Sequence, residues 1–406
     1  MSTSSGGSAP PALTYSAAAR VVPARPLGRR SPLFKPIANA SFPALNGGIN
    51  ASGGGVATTT SSGPHTNTNN TTNNNTNNTT NNNTDLLAGG PRVLDCFCGI
   101  GGSSRGAVLA GYTIAVATDG CPTALAAYSA NAPSHLTVQL DAADSPSFVA
   151  GVRQACAREG ISPKFDIALV SLPCQAFSSA SNSRATDTRR GLASLFLPSL
   201  IALAPSAIVF ENVPNFGTSA EWRAVRSRLA QSYNVREYVI NSAKCAVPQR
   251  RLRFFAVCTP RGAVDVLTTA VAALGDVAET NMEDVFPQLG LYFHLPRGAH
   301  DPAVFSTDRP SPTVRTTCAS RPNLAKFTPR PRDAGCITDA AVLPVSTWAR
   351  VMGFPPGWRL PVQRQACTCP FCASSRRAPA ARLIGNAVCP PVMAFILKNL
   401  RHLFPS

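Results

Sequence analysis

From Asp85 onward, short runs of aliphatic residues alternate with longer stretches whose apolar positions recur every three or four residues. The short runs predict strands at 92–95, 113–118, 166–171, 207–211, 235–241 and 254–258. Between them, the longer period predicts helices at 103–110, 123–131, 147–159, 192–203 and 220–231. Strands that alternate with helices build a parallel sheet with helices on both faces. The expected fold class is α/β, a doubly wound and mostly parallel sheet. Ligands of such sheets bind beyond the carboxyl ends of the strands.

The alternation fades after about residue 260, and Arg309-Pro310-Ser311-Pro312-Thr313-Val314-Arg315 opens a stretch rich in Pro and Arg. Residues 261–382 are expected to form a smaller lobe of irregular structure. A last helix is predicted at 392–403, and the turn Gly385-Asn386-Ala387-Val388 before it could return the chain, over 383–406, to the main domain. That main domain is expected at 85–260. Residues 1–84 hold Ser, Gly and Pro, then an Asn/Thr run, with few apolar residues and no acid. Such a segment cannot bury enough apolar surface to fold, so it is expected to be a disordered basic tail.

Charge and cysteine content narrow the class. The net charge of +17 favours a polyanionic partner, and the five cations of the tail (Arg20, Arg25, Arg29, Arg30, Lys35) account for the smaller share of it. Thirteen cysteines, an odd number in a long chain without a secretory signal, point to a reducing compartment rather than to disulfides. No apolar run approaches the roughly 20 residues that cross a bilayer, so no membrane role is expected.

Five strand ends carry the chemistry. The run Val93-Leu94-Asp95-Cys96-Phe97-Cys98-Gly99-Ile100-Gly101-Gly102 is a strand followed by a glycine turn, which lets backbone approach a ligand and opens a helix with free N–H groups. Asp119 ends the next strand, where a carboxylate can accept both hydroxyls of a ribose, and Asp141 follows a third short apolar segment, where it could take an adenine amine. Cys174 lies in Ser171-Leu172-Pro173-Cys174-Gln175, after a rigid strand and before a polar loop containing Arg184, Arg189 and Arg190 that could meet phosphates. Glu211 ends Ile208-Val209-Phe210, and an acid there needs a partner such as the N3 and exocyclic amine of cytosine. In Gln249-Arg250-Arg251-Leu252-Arg253, the two-residue period places Arg251 and Arg253 on one face. Two readings stand for that pair, a salt-bridged surface or a contact to a base carbonyl.

Together these segments carry a resemblance. Asp95-x-Phe97-x-Gly99-x-Gly101-Gly102, Pro173-Cys174-Gln175, Glu211-Asn212-Val213, Gln249-x-Arg251-x-Arg253 and Gly385-Asn386-Ala387-Val388 closely resemble the cytosine-5 DNA methyltransferases, in that family's order and over about 92–403. The resemblance implies a class I S-adenosylmethionine-dependent methyltransferase fold whose smaller lobe recognises the target, with double-stranded DNA as partner. For the cofactor it implies Asp95, Phe97, Gly99, Gly101, Gly102, Asp119, Asp141, Pro173, Asn386 and Val388. For catalysis it implies Cys174 as nucleophile, Glu211 as partner of the ring nitrogen and Arg253 as a contact to the pyrimidine carbonyl, with Arg251 in the same catalytic set. The base would be flipped out of the duplex into the pocket.

The chain departs from the family pattern at Leu172, where a second proline is usual, and at Asp119, where Glu is usual. The segment between Phe255 and Arg309 is short for reading DNA sequence, which favours a brief target. Cys367-x-Cys369-x-x-Cys372 has part of a zinc spacing, with Cys389 or Cys336 as a conceivable fourth ligand, but no metal is expected. Competing functions are a transfer RNA cytosine-5 methyltransferase, lowered by the lack of that branch's Cys-Phe-Thr, a non-catalytic DNA-binding homologue, and, distantly, a nicotinamide-dependent dehydrogenase. The expected location is the nucleus for a eukaryotic or viral protein and the cytoplasm otherwise.

Overall fold

The computed structural model describes residues 89–178, 187–287, 289, 291–294, 303–316, 325–327, 341–342, 344–361 and 379–405. Seven strands form the main sheet: β1 (Arg92–Cys96), β2 (Thr113–Asp119), β3 (Thr137–Gln139), β4 (Ile167–Ser171), β5 (Ala207–Asn212), β6 (Tyr233–Asn241) and β7 (Leu252–Pro260). Their order is β3-β2-β1-β4-β5-β7-β6. The first five strands are parallel, and β7 runs antiparallel between β5 and β6. Strands β1, β4 and β5 are buried almost throughout, which explains their continuous apolar runs: a parallel strand covered on both faces has no polar side to show.

Successive strand residues pack on opposite faces. Val93, Ile167 and Val209 join one core with Tyr128, Met393 and Leu397, while Leu94, Ala168 and Phe210 join the other with Phe148, Phe196 and Trp222. The first face thus carries helices α1 (Gly102–Leu109) and α2 (Pro122–Asn131) with the C-terminal helix Pro390–Leu400, and the second carries α3 (Ser145–Arg158), α4 (Leu192–Leu203) and, after the short α5 (Pro214–Gly217), α6 (Ala220–Leu229). Winding reverses between β1 and β4. Their carboxyl ends lie side by side there, leaving a crevice between the glycine turn and the segment bearing Cys174.

The expected irregular lobe holds more order than its sequence promises. Strands β8 (Leu291–His294), β9 (Ala303–Ser306), β10 (Ala325–Phe327) and β11 (Ala341–Val342) form an antiparallel sheet in the order β11-β10-β8-β9. Each strand has only two to four residues, too few for a two-residue period to accumulate.

The expectation of no bilayer-length apolar run needs correction. Pro379–Leu403 is long and apolar enough to cross a membrane by length and composition, yet 83% of its apolar window is buried inside the protein. Its helices pack on the sheet as core elements, with Met393, Ile396 and Leu397 fully covered. The tail at 1–84, Arg184, Cys336 and the cluster Cys367, Cys369 and Cys372 lie outside the described residues.

Candidate active site

A cavity of about 1090 Å³ opens at the carboxyl ends of β1, β2, β4 and β5. Its lining includes Phe97, Gly99, Gly102, Asp119, Asp141, Pro173, Cys174, Glu211, Arg251, Arg253, Asn386 and Val388. Residues up to 291 positions apart in sequence therefore meet at one place.

The glycine turn forms one wall. Phe97, Gly99 and Gly101 all have positive φ (61°, 56° and 88°). At Phe97 this is a strained conformation, held in part by its ring packing edge-on against Phe196 at 5.2 Å. A Cβ at Gly99 would meet no atom within 4 Å, so the backbone there faces open cavity. At Gly102 a Cβ would overlap the Val388 carbonyl oxygen, so only glycine lets the C-terminal segment close against α1. The Asp119 carboxylate is aimed by backbone: the N–H groups of Gly99 and Cys121 donate to Oδ2 and Oδ1 at 2.9 and 2.8 Å. Burial raises its pKa against those two hydrogen bonds and the positive charge of Arg382. Asp141 is exposed at the rim and accepts from the Ala143 N–H at 2.9 Å.

Cys174 and Glu211 form the opposite wall. In the β4–β5 pairing Ser171 lies opposite Glu211, so the thiol three residues beyond β4 arrives beside the carboxylate. Asn212 Nδ2 donates to the Leu172 carbonyl at 3.3 Å, which ties the two strand exits together. Arg253 reaches Glu211 from β7, with Nε 3.1 Å from Oε1 and both side chains largely buried. Burial pushes the Glu211 carboxyl above its ordinary range, opposed by Arg253 and Arg251. Burial likewise raises the Cys174 thiol, which Arg253 lowers and Glu211 raises further. A thiol held near a carboxyl whose affinity for a proton is raised by burial is a donor set for nucleophilic addition to a ring that must be protonated or hydrogen-bonded elsewhere.

Residues 91–288 match the family of C-5 cytosine-specific DNA methylases. That span is a domain of the cytosine-5 DNA methyltransferase family. The chain is 27% identical over 310 residues to the type II methyltransferase M.HgiDI of Herpetosiphon aurantiacus, a match spanning 75% of this chain and 92% of that protein. Identity to M.HindV of Haemophilus influenzae is 26% over 303 residues, spanning 73% and 92%. Among solved structures, the fold resembles the S. pombe Dnmt2 methyltransferase, with a TM-score of 0.54 at 19% identity over 76% of this chain and 97% of that one. Spodoptera frugiperda DNMT2 gives 0.54 at 17% identity over 76% and 99%.

Within this methyltransferase, several candidates sit differently from what the sequence implies. Asp95 does not reach the cavity. It is fully buried beneath the glycine turn, where Oδ2 accepts from Ser104 Oγ at 2.5 Å and Oδ1 has no hydrogen-bond partner. Burial moves its pKa up to about 7. Gly101 faces the other way, toward Tyr128 and Trp358. Arg251 lines the cavity, but Nη1 donates to the Val314 carbonyl at 2.9 Å and Nη2 to those of Gly385 and Ala387 at 2.9 and 3.1 Å. Its first role is to hold the Asn386 segment. Arg189 and Arg190, expected toward phosphates, are paired internally with Asp187 and Glu221.

Other residues enter the site unannounced. Ser103 and Ser171 line the cavity with their hydroxyl oxygens 3.1 Å apart, Gln175 Nε2 donates to Asn386 Oδ1 at 3.4 Å, and Arg382 lines the cavity near Asp119. Gln175 belongs to a recognised motif, whereas nothing in the sequence around Arg382 connects it with Asp119. Among the described residues, no three His, Cys, Asp or Glu side chains are grouped to hold a metal. Cys389 is buried with Ser242 Oγ 3.6 Å from its sulfur.

Proposed function

We propose that this chain transfers a methyl group from S-adenosylmethionine to carbon 5 of cytosine in double-stranded DNA. One observation carries the reading: the Cys174 thiol and the Glu211 carboxyl, on adjacent strand exits, share a cavity with the glycine turn and Asp119. The cavity fits the cofactor on its own terms. Gly99 leaves its backbone open to the space, and Asp119 and Asp141 supply carboxylates for a ribose and an adenine amine. Phe97 and Pro173 offer apolar surface, and Asn386 and Val388 close the methionine side. When bound, S-adenosylmethionine supplies an electrophilic methyl group.

The protein's residues prepare the base to accept that group. A cytosine flipped out of the duplex places carbon 6 at Cys174 and N3 at Glu211. Sγ of Cys174 adds to carbon 6 after losing its proton, and Glu211 gives a hydrogen bond or a proton to N3. The ring electrons then make carbon 5 nucleophilic. Arg253 keeps Glu211 oriented and can reach the pyrimidine carbonyl. After methylation, the carbon 5 proton leaves to water, the Cys174 thiolate is expelled, and any proton on N3 returns to Glu211, which restores the aromatic ring.

The small antiparallel sheet and the segments about it, over 261–382, form the target-recognition lobe in this account, and 383–406 returns to the catalytic domain of 85–260. The excess positive charge supports a nucleic-acid partner. In a eukaryotic or viral setting the enzyme works in the nucleus, and otherwise in the cytoplasm. Transfer of labelled methyl from S-adenosylmethionine to duplex DNA, with transfer RNA in parallel, tests the reading. Label in DNA is the expected result. Label only in transfer RNA would reassign the substrate, and label in neither would contradict the enzyme.

A further inference from the structure

We infer that Arg190 is a positioning residue for the Cys174 nucleophile. The inference rests on the reading of Cys174 as the attacking group. Cys174 sits on a tight turn in which the N–H groups of Phe177 and Ser178 both donate to its carbonyl, at 3.0 and 2.9 Å. Whatever holds Ala176 and Phe177 therefore sets where the thiol points.

Arg190 holds both from outside. Its Nη1 donates to the Ala176 carbonyl at 3.4 Å, and its guanidinium lies over the Phe177 ring, 4.9 Å from the centroid. The guanidinium is fixed in turn by a two-point contact with Glu221, Nε to Oε1 at 2.8 Å and Nη2 to Oε2 at 3.1 Å. Glu221 stands in the first turn of α6, which is anchored in the core by Trp222, Val225 and Leu229. On its other side the Phe177 ring packs edge-on against Phe216 at 5.0 Å, and Asn215 Nδ2 donates to the Phe177 carbonyl at 3.2 Å. Asn215 and Phe216 follow directly from the β5 exit that bears Glu211. The turn is thus gripped between the Glu211 strand exit on one side and α6, through Arg190, on the other.

The chemistry of Arg190 suits this task. A planar guanidinium can bond a carboxylate at two points while an edge reaches a carbonyl and a face covers a ring, which an ammonium cannot. The pair with Glu221 is partly exposed, with side-chain exposures of 32% and 22%, so it adds little to global stability. Its effect falls on geometry, where displacement of a reacting group by about 1 Å can cost roughly 100-fold in rate.

The test uses the full-length chain with two variants, Arg190→Met and Glu221→Gln. The rate of covalent adduct formation on 5-fluorocytosine duplex DNA, the dissociation constant for S-adenosylmethionine, and alkylation of Cys174 by iodoacetamide without DNA are measured for each. For Arg190→Met the expected loss of adduct rate is roughly 10- to 100-fold, with cofactor affinity and melting temperature nearly unchanged. Cys174 should be alkylated several-fold faster, roughly, while buried Cys98 and Cys156 are unaffected. Arg190→Lys should restore part of the rate, and Glu221→Gln should shift both rates in the same direction by less. Should Arg190→Met fail to fold, Glu221→Gln decides. An unchanged adduct rate with unchanged Cys174 alkylation overturns the inference, as does a loss matched by equal losses of cofactor affinity and melting temperature. A wild-type protein that forms no adduct would refute the methyltransferase reading instead, and the alkylation rates would still decide the role of Arg190.

Discussion

Arg253 Nε lies 3.1 Å from Glu211 Oε1, an ion pair in which neither side chain is more than 13% exposed. It joins β7 to the exit of β5 and opposes the effect of burial, which raises Glu211. Two groups with raised pKa values, Cys174 and Glu211, then govern the pH profile of adduct formation. Activity needs an ionised thiol and a protonated carboxyl, so the rate should rise with pH, pass a maximum and fall. Glu211→Gln keeps a hydrogen-bond donor at all pH values. Its profile should lose the falling limb, at a lower maximal rate, when adduct formation is followed against pH.

Asp95 gives a pH dependence of stability rather than of chemistry. Its folded-state pKa of about 7 lies above the ordinary carboxyl value of 3.8, mainly because it is buried. The folded state therefore binds the proton more tightly, and the resulting stabilisation is full below about 4 and is lost as pH rises through about 7. Asp95→Asn keeps an acceptor for Ser104 and removes the titration. Thermal melting across this range should fall with pH more steeply in the wild type than in Asp95→Asn. Asp95→Ala should additionally weaken cofactor binding by loosening the turn, which a titration with S-adenosylmethionine would show.

The close approach of Gly102 to Val388 makes a single methyl group costly. A Cβ there would meet the carbonyl oxygen and carbonyl carbon of Val388, both backbone atoms that cannot rotate away. Gly102→Ala should lose about 1–3 kcal/mol of stability and part of its cofactor affinity. The same substitution at Gly99 has open space but a positive φ, so its penalty should come from backbone strain and from intrusion into the cavity. Calorimetric binding and melting of the two variants separate these cases.

Arg251→Met should be the most damaging change at the site. It would strand the carbonyls of Val314, Gly385 and Ala387, three buried acceptors that now share one guanidinium. A loss of roughly 3–5 kcal/mol follows from unsatisfied buried polar groups of this kind. Chemical denaturation would measure it. Arg253→Met should cost less stability and more adduct rate, because Arg253 is less enclosed and acts on Glu211.

The parallel strands were legible because burial on both faces leaves continuous apolar runs, and the exits of β1, β4 and β5 announced the glycine turn, Cys174 and Glu211. The small sheet was not, since strands as short as Ala341–Val342 leave no period to read. Arg251 and Arg253 share a face, as their spacing implies, but their tasks depend on distant partners, for Arg251 on carbonyls 63 to 136 positions away and for Arg253 on the Glu211 carboxylate. Asp95 belongs to a motif yet sits behind the cavity wall, and only the depth of the fold distinguishes a residue that touches a ligand from one that braces the turn beneath it. The pairing of Arg190 with Glu221 across 31 positions is equally invisible along the chain.

Cys174 as the attacking nucleophile is tested most directly by covalent trapping on duplex DNA containing 5-fluorocytosine, with S-adenosylmethionine present, for the wild type and for Cys174→Ser. A denaturation-resistant protein–DNA adduct is expected for the wild type and none for Cys174→Ser, with cofactor binding preserved in both. An adduct or continued methyl transfer by Cys174→Ser would contradict the role of Cys174 as nucleophile.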